Sequence, residues 1–380
     1  MWYMTEERTL LQKIMREFVQ NEIKPFVPKM ETEDAYPTEI LKKLGKMGVL
    51  GFSAPEEYGG VGVDWINLGI AVEEISKESN MLGMLTSLNS AWIPSSLIAD
   101  CTAEQIEKYV KPALRGDIIL GGYNTESCGA ADFPEFETKA VPDGDGWVIS
   151  GSKVLGTSNG ECDAFFVVTR TAELDFATGN GLTLFILPSD TPGVKFGRNE
   201  HKLGWHGSST GTLYLDNVHV TKDNLLGTFN GGAFCKQPYE QTQGLGMYGA
   251  MSLGSMESVW NRTRKFLSER IQCGKSLWDT HQHIRITMAQ MWMEIENFRS
   301  AVYSVLQDRN DGADVTCRAV AVKTAGAKLL ESVSSQCITL HGGTGTVFET
   351  DIERFYRDAP MTTVGCGSIM ALADDISKRI

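Results

Sequence analysis

The spacing of apolar residues changes twice along the chain, and no other feature of the sequence constrains the fold as strongly. From Thr5 to Asp117, apolar residues recur at helical spacing. The middle third contains short runs rich in β-branched and aromatic residues, separated by turn sequences such as 142–146. Helical spacing then returns, and it predicts a buried stripe along one long helix: Ile284, Met288, Met291, Ile295, Phe298, Val302 and Val305.

Helices, then strands, then helices is an order typical of α+β proteins and not of a doubly wound parallel sheet. At 380 residues, the chain is long enough for two or three packed domains. We predict an all-helical N-terminal domain (1–118), an antiparallel β-domain (119–230) and a C-terminal four-helix bundle (231–380). The predicted strands are 147–149, 165–169, 182–187, 194–196 and 212–220.

The composition excludes several functional classes. With 42% hydrophobic and 22% charged residues, the chain has the composition of a globular protein. A net charge of -13, without a basic cluster, argues against nucleic-acid binding. No apolar run reaches the length of a membrane span, and the N-terminus lacks the pattern of a signal peptide. The eight cysteines form no C-x-x-C pair and have no histidine at metal-ligand spacing, so we expect no metal site and free thiols in a reducing cytoplasm.

Two glycine-rich segments allow more than one interpretation. Residues 244–249 fit G-x-G-x-x-G, but the polar segment before them is not a buried strand, so close packing between helices is the preferred interpretation. The glycines of 341–345 follow a helical pattern. They are consistent with a helix end, or with a backbone that approaches a cofactor closely.

Several motifs, in order along the chain, resemble those of the acyl-CoA dehydrogenase family. The N-terminal segments 54–62 and 72–76 are similar to its helical domain. Residues 124–132 look like the family's T-E-P-G-A-G-S-D loop, and 151–160 look like its G-x-K-x-x-I-T-N-G segment. The remaining similar segments are 203–210, 218–220, 268–275, 281–282, 342–345 and 357–359. The resemblance covers essentially the whole chain.

This resemblance implies FAD as cofactor, an acyl thioester of CoA or of a carrier protein as substrate, and a dimer or tetramer in which a neighbouring subunit completes the cofactor site. By position, Thr125 and Thr157 would bond the flavin ring, and Asn124, Ala131 and Leu155 would lie beside it. The residues that would reach the FAD of the adjoining subunit are Arg270, Gln282, Gly342 and Gly343.

The sequence departs from the family at the catalytic base. Cys366 stands where the family has glutamate, and Thr242 occupies the position at which other branches carry the base. Cys366 would serve as a base only as a thiolate, which a nearby cation would favour, and the alternative is a small apolar filler. Glu240, with Tyr239 beside it, is a second candidate, and its alternative is an exposed carboxylate near a helix start. Ala131, Leu155, Cys273 and Thr339 also replace customary family residues.

Three functions remain open at this point. The first is an FAD-dependent oxidoreductase that acts on an acyl thioester with an activated C–H bond, which would tolerate a weak base. The second is a non-oxidative elimination, such as loss of a sulfinate, which needs no base at that position. The third is a non-catalytic subunit in a heteromer with an active homologue.

Overall fold

The computed structural model describes residues 1–130, 132–175, 180–230 and 244–380. The N-terminal third is helical, as predicted. Its α-helices are α1 (Glu6–Phe18), α2 (Val27–Glu33), α3 (Thr38–Lys46), α4 (Trp65–Ser76), α5 (Asn80–Ser87), α6 (Pro94–Leu97), α7 (Ala103–Gln105) and α8 (Lys111–Leu114). Three π-helical turns occur between them, at Val19–Ile23, Leu88–Trp92 and Ile106–Val110.

Helix α4 is the central element of this domain. The side chain of Asp64 accepts hydrogen bonds from the backbone N–H groups of Ile66 and Asn67, which caps the first turn. Every residue of the helix except Asn67 is buried, because α4 packs against both the N-terminal and the C-terminal helices. A charged side chain on a helix that is buried on all sides needs a partner of opposite charge within the protein. The partner of the Glu73 carboxylate is Arg299 of the C-terminal third, at 2.6 Å.

The middle third forms a single eight-stranded sheet. Its strands are β1 (Leu120–Tyr123), β2 (Lys139–Asp143), β3 (Gly146–Gly156), β4 (Ala164–Arg170), β5 (Leu182–Pro188), β6 (Val194–Asn199), β7 (Gly211–Val220) and β8 (Leu225–Leu226). The order is β6-β7-β3-β2-β4-β5-β8, and β1 also pairs with β4. All five predicted strands lie within observed ones.

Most strand pairs are antiparallel, but β4 pairs in parallel with all of β1 and with β2 at Lys139–Arg170. The sequence did not predict these parallel pairings. They arise because the β2–β3 hairpin lies between β1 and β4 in the chain, so that β4 returns to the sheet in the direction of β1.

The last third is helical again. Its elements are α9 (Gly246–Glu269), β9 (Ile271–Gln272), β10 (Lys275–Ser276), α10 (Leu277–Thr280), α11 (Gln282–Asn310), α12 (Thr316–His341), α13 (Glu353–Val364) and α14 (Ile369–Ser377). All seven residues of the predicted stripe on α11 are buried. Among the described residues, no helix combines the length and the apolarity required to cross a bilayer.

Helices α9 and α12 lie side by side and run in the same direction. Near their N-terminal ends, the Lys323 ammonium lies 5.3 Å from the ring centroid of Tyr248. Near their C-terminal ends, the His341 ring stacks on Phe266 at 4.1 Å. Close packing needs small residues, and a Cβ atom on Gly249 would lie 2.2 Å from Val322. This contact supports the packing interpretation of the 244–249 glycines.

Hydrogen bonds between side chains join the domains around a continuous hydrophobic core. The Tyr36 hydroxyl lies 2.7 Å from Ser158 Oγ, between the N-terminal and β-domains. The Trp205 indole N–H donates to Asn80 at 2.7 Å, and the Asn80 amide donates to Ser255 at 2.9 Å. The combination of helical, β and helical parts confirms the predicted fold class. The boundaries after 118 and 230 stay predictions, and the second adjoins the range 231–243, which is outside the described residues.

We expect Gly254→Ala to lower the Tm, because its Cβ atom would lie 2.1 Å from the carbonyl oxygen of Glu73 and would push α9 away from α4. Overpacking of this kind costs about 1–3 kcal/mol. Thermal unfolding measures the effect, with Ser335→Ala on the exposed face of α12 as the control. An unchanged Tm for Gly254→Ala would show that the two helices do not pack this closely.

Candidate active site

Two of the predicted flavin-contacting segments lie side by side in the sheet. The backbone N–H of Val154 donates to the Thr125 carbonyl at 2.8 Å, and Thr157 bridges to Gly122. Leu155 between them has a φ of +55° and is 60% exposed. The strand ends thus present Thr125, Leu155 and Thr157 together on one surface.

This surface carries polar atoms that lack partners within the described part of the chain. The Asn124 amide donates to the Ala130 carbonyl at 3.1 Å, but its side-chain oxygen is buried without a hydrogen bond. The hydroxyls of Thr125 and Thr157 likewise make no hydrogen bond to a described residue. Donors and acceptors of this kind, beside the exposed Leu155, fit a planar heteroaromatic ring with polar edges. Ala131, the fifth predicted residue, lies outside the described residues.

A buried ion pair holds the 124–130 loop against the sheet. Lys153 on β3, fully buried, donates to Glu126 at 2.6 Å, and the backbone N–H groups of Glu137 and Thr138 donate to the same carboxylate. Burial alone would raise the pKa of Glu126, but Lys153 and these N–H groups hold it below its usual value. The carboxylate therefore stays ionised and fixes the loop that carries Thr125.

Cys366 lies where all three domains meet, in the turn after α13. Gly365 packs on Trp205 so closely that a Cβ atom would lie 2.5 Å from the indole ring. Cys366 itself is partly buried and has a left-handed φ of +53°. The buried hydroxyl of Tyr248 on α9 donates a hydrogen bond to Cys366 Sγ. Lys323 on α12 donates to the Gly365 carbonyl at 2.7 Å and to the Cys366 carbonyl at 3.3 Å.

These neighbours determine the protonation of the thiol. Burial raises the pKa of Cys366, and the hydrogen bond from Tyr248 and the charge of Lys323 oppose this rise without cancelling it. Burial also raises the pKa of Tyr248 well above its ordinary value. At neutral pH, both groups are therefore protonated.

Sequence reasoning missed Tyr248 and Lys323. A signal for Lys323 was present, because it falls within an otherwise apolar face of α12 formed with Ala319, Val320 and Ala327, and all four residues are buried. Tyr248 lies inside the 244–249 motif, but the interpretation of that motif considered only its glycines. Glu240, the other candidate base, lies outside the described residues.

The remaining predicted residues lie at the opposite end of α9, on the surface. Arg270 ends this helix, and its guanidinium makes no hydrogen bond or ion pair with a described residue. Gln282, Gly342 and Gly343 are also exposed. Helix α12 ends at His341, which agrees with the helix-end interpretation. Gly342 follows with a φ of +63° and a ψ of -145°, a conformation outside the left-handed helical region that this interpretation predicted. At 1.5 Å per residue, Arg270 lies roughly 33 Å along the axis from Tyr248.

Comparison with known proteins identifies the family. The profiles of the N-terminal, middle and C-terminal domains of acyl-CoA dehydrogenases match residues 5–117, 123–218 and 243–380. The chain belongs to the acyl-CoA dehydrogenase family. Acyl-CoA dehydrogenases depend on FAD, and this member is accordingly an FAD-dependent oxidoreductase that acts on the CH–CH bond of an acyl thioester.

The relatives include both oxidative and reductive enzymes. The chain is 33% identical over 363 residues to a short-chain specific acyl-CoA dehydrogenase of Clostridium acetobutylicum, covering 95% of this chain and 94% of the relative. It is 30% identical over 383 residues to a 3-(aryl)acrylate reductase of Clostridium sporogenes, covering 99% and 100%. The structure of butyryl-CoA dehydrogenase from Megasphaera elsdenii superposes with a TM-score of 0.90 at 27% identity, covering 98% of this chain and 99% of that chain.

We expect Glu126→Gln to weaken FAD retention, because it leaves the Lys153 ammonium buried without its counter-ion. Breaking a buried pair in this way costs about 3–5 kcal/mol. The ratio of flavin to protein absorbance after gel filtration measures the loss, and Glu137→Gln, which changes an exposed carboxylate just before β2, is the control. Full flavin content in Glu126→Gln would contradict a role of this pair in shaping the flavin surface.

Proposed function

We propose that this acyl-CoA dehydrogenase family member reduces the Cα–Cβ double bond of an α,β-unsaturated acyl-CoA, with Cys366 as the proton donor to Cα. The observation that carries the proposal is the hydrogen bond from the buried Tyr248 hydroxyl to Cys366 Sγ. Because Tyr248 uses its proton in that bond, the thiol proton of Cys366 is free to point elsewhere.

The protonation state favours this direction of reaction. Desaturation needs a base at Cα, and a thiol whose pKa is raised is a poor base at neutral pH. Reduction needs an acid there, and the same protonated thiol is ready to act as one. Similarity to a 3-(aryl)acrylate reductase supports this direction, while the elimination and non-catalytic subunit alternatives are not favoured.

The proposed step transfers one proton. The S–H bond of Cys366 breaks as a C–H bond forms at Cα, and the thiolate that remains accepts the hydrogen bond of Tyr248. FAD held at the surface that carries Asn124, Thr125 and Thr157 would, in its reduced form, supply the hydride for Cβ. Trp205 and Tyr248, both buried beside the turn, limit the access of bulk water to the partly buried thiol.

We expect Cys366→Ala to slow the oxidation of the reduced flavin by an α,β-unsaturated acyl-CoA by about 10²–10⁴-fold, the usual contribution of a positioned acid. Anaerobic stopped-flow absorbance with crotonyl-CoA and cinnamoyl-CoA measures the rate, and Cys317→Ala at the start of α12 is the control. The wild-type rate should fall as the pH rises through the raised pKa of Cys366.

Two results would overturn this proposal. An unchanged rate in Cys366→Ala would make Cys366 a filler residue. Rapid bleaching of the oxidised flavin by butyryl-CoA at neutral pH, without reoxidation of reduced flavin by crotonyl-CoA, would assign the enzyme to desaturation instead.

We further propose a homo-oligomer in which Arg270, Gln282, Gly342 and Gly343 complete the FAD site of a neighbouring subunit. Two observations support this proposal. All four residues are exposed at one end of the bundle, and the Arg270 guanidinium, whose planar fork suits a pyrophosphate, makes no hydrogen bond or ion pair with a described residue. The unpaired state of the seven described cysteines supports a cytoplasmic location.

We expect Arg270→Ala to raise the Kd for FAD at least about tenfold, because it removes a charge-assisted contact worth about 1.5–3 kcal/mol. Titration of the apoprotein with FAD, followed by flavin fluorescence, measures the change. Lys265→Ala, an exposed cation on the same helix, is the control. Equal affinities in the two variants would place the FAD contact elsewhere.

A further inference from the structure

Lys323 is a buried lysine with an unusual set of partners. Its side chain is 1% exposed, and its Nζ atom donates to three consecutive carbonyls, those of Gly365, Cys366 and Gly367. An ammonium has three N–H donors, so its hydrogen-bonding capacity is used entirely on this one turn. The contacts span 42 to 44 positions of sequence and join the middle of α12 to the segment after α13.

No carboxylate balances this charge within the described part of the chain. The other deeply buried lysine, Lys153, pairs with Glu126 at 2.6 Å, whereas Lys323 has no ion pair. The titratable groups that face it are Cys366 on the α13–α14 turn and Tyr248 on α9. A buried cation held by carbonyl dipoles, without a carboxylate among the described residues, leaves a positive potential beside the sulfur atom of Cys366.

The turn needs such a support. Both Cys366 and Gly367 have positive φ values, +53° and +92°, and the curved backbone points successive carbonyls toward a single point. On the opposite side, Gly365 is pressed against Trp205, which prevents the turn from moving in that direction. The position of Cys366 Sγ is therefore set by Trp205 on one side and by Lys323 on the other.

We propose that Lys323 is a positioning residue for the proton donor: it fixes the 365–367 turn and stabilises the thiolate that Cys366 becomes after it has given its proton to the substrate. The proposal rests on the function proposed above, because it assigns a partner to the same thiol. Lys323 makes no contact with substrate in this role. It acts through the turn and through its charge.

The charge of Lys323 is itself sensitive to pH. Burial lowers the pKa of Lys323 to about 8, although the neighbouring Cys366 opposes this shift. The ammonium is therefore present below about pH 8, and its positive potential and one of its three N–H donors are lost as the pH rises through that value. This lowered pKa is what the burial of Lys323 and its lack of a described carboxylate partner lead one to expect.

The test compares Cys366 reactivity in the FAD-loaded wild type, Lys323→Met, Lys323→Arg and Lys328→Met. Lys328 is exposed on the same helix and provides the matched control. The rate of iodoacetamide alkylation is measured at about pH 7, where Lys323 carries its charge, and mass spectrometry of the tryptic peptides isolates Cys366 from the exposed Cys128 and Cys273, which serve as internal references.

An opposite charge nearby lowers a pKa by about 1–3 units, and the thiolate is the form that is alkylated, so we expect Lys323→Met to slow the alkylation of Cys366 at this pH by about tenfold or more. Lys323→Arg should restore most of the alkylation rate, and Lys328→Met should leave it unchanged. The same Lys323→Met protein should lose kcat for crotonyl-CoA reduction more than it changes KM. If Lys323→Met fails to fold, Lys323→Gln carries the same comparison.

An alkylation rate of Cys366 at this pH that is the same in wild type and in the neutral variants overturns the role of Lys323, whatever the turnover rates are. Failure of the proposed function looks different: Cys366→Ala then keeps its reduction rate, while Lys323→Met still slows the alkylation of Cys366.

Discussion

The contacts of Trp205 are those on which the geometry of the candidate site depends. The indole N–H of Trp205 donates to Asn80 of the N-terminal domain, the backbone N–H of Trp205 donates to Asp358 of α13 at 2.7 Å, and Gly365 packs against the indole ring. The residue is 6% exposed and has a φ of +54°, a conformation that only surrounding contacts maintain in a bulky side chain. Trp205 thus connects all three domains beside the turn that carries the Cys366 thiol.

A thiol at the position where the resemblance to the family predicts a carboxylate places different requirements on the surrounding site. A carboxylate is ionised at neutral pH unless its environment prevents this, whereas a thiol is protonated unless its environment removes the proton. The environment of Cys366 contains one hydroxyl donor and one ammonium, yet burial dominates and the thiol form persists. Such a site is suited to giving up a proton once and to holding the resulting anion.

The sequence predicted what depends on local pattern. The stripe on α11 was found because helical periodicity alone determines which side of a helix is apolar, and the strand runs were found for the same reason. Resemblance to a family gave the position of Cys366 and the proximity of Thr125 to Thr157, but not its surroundings. Tyr248 and Lys323 lie 118 and 43 positions before Cys366, and nothing in either local pattern indicates that they meet it.

The fold and the site also have features that the spacing of apolar residues does not predict. The parallel pairing of β1 with β4 follows from the course of the chain around the β2–β3 hairpin, which apolar spacing does not report. Glu126 and Lys153 were both inside recognised motifs, but their pairing depends on the register of β3 against the 124–130 loop. Long-range polar contacts of this kind require coordinates.

Helix α9 has Tyr248 beside the thiol near one end and Arg270 at the other, and between them it is an uninterrupted α-helix. Each residue turns a helix by about 100°, so a single insertion or deletion between these two positions would swing one of the two side chains out of place. The number of residues between them is therefore constrained, since one rigid helix sets the position of Arg270 relative to the Cys366 thiol.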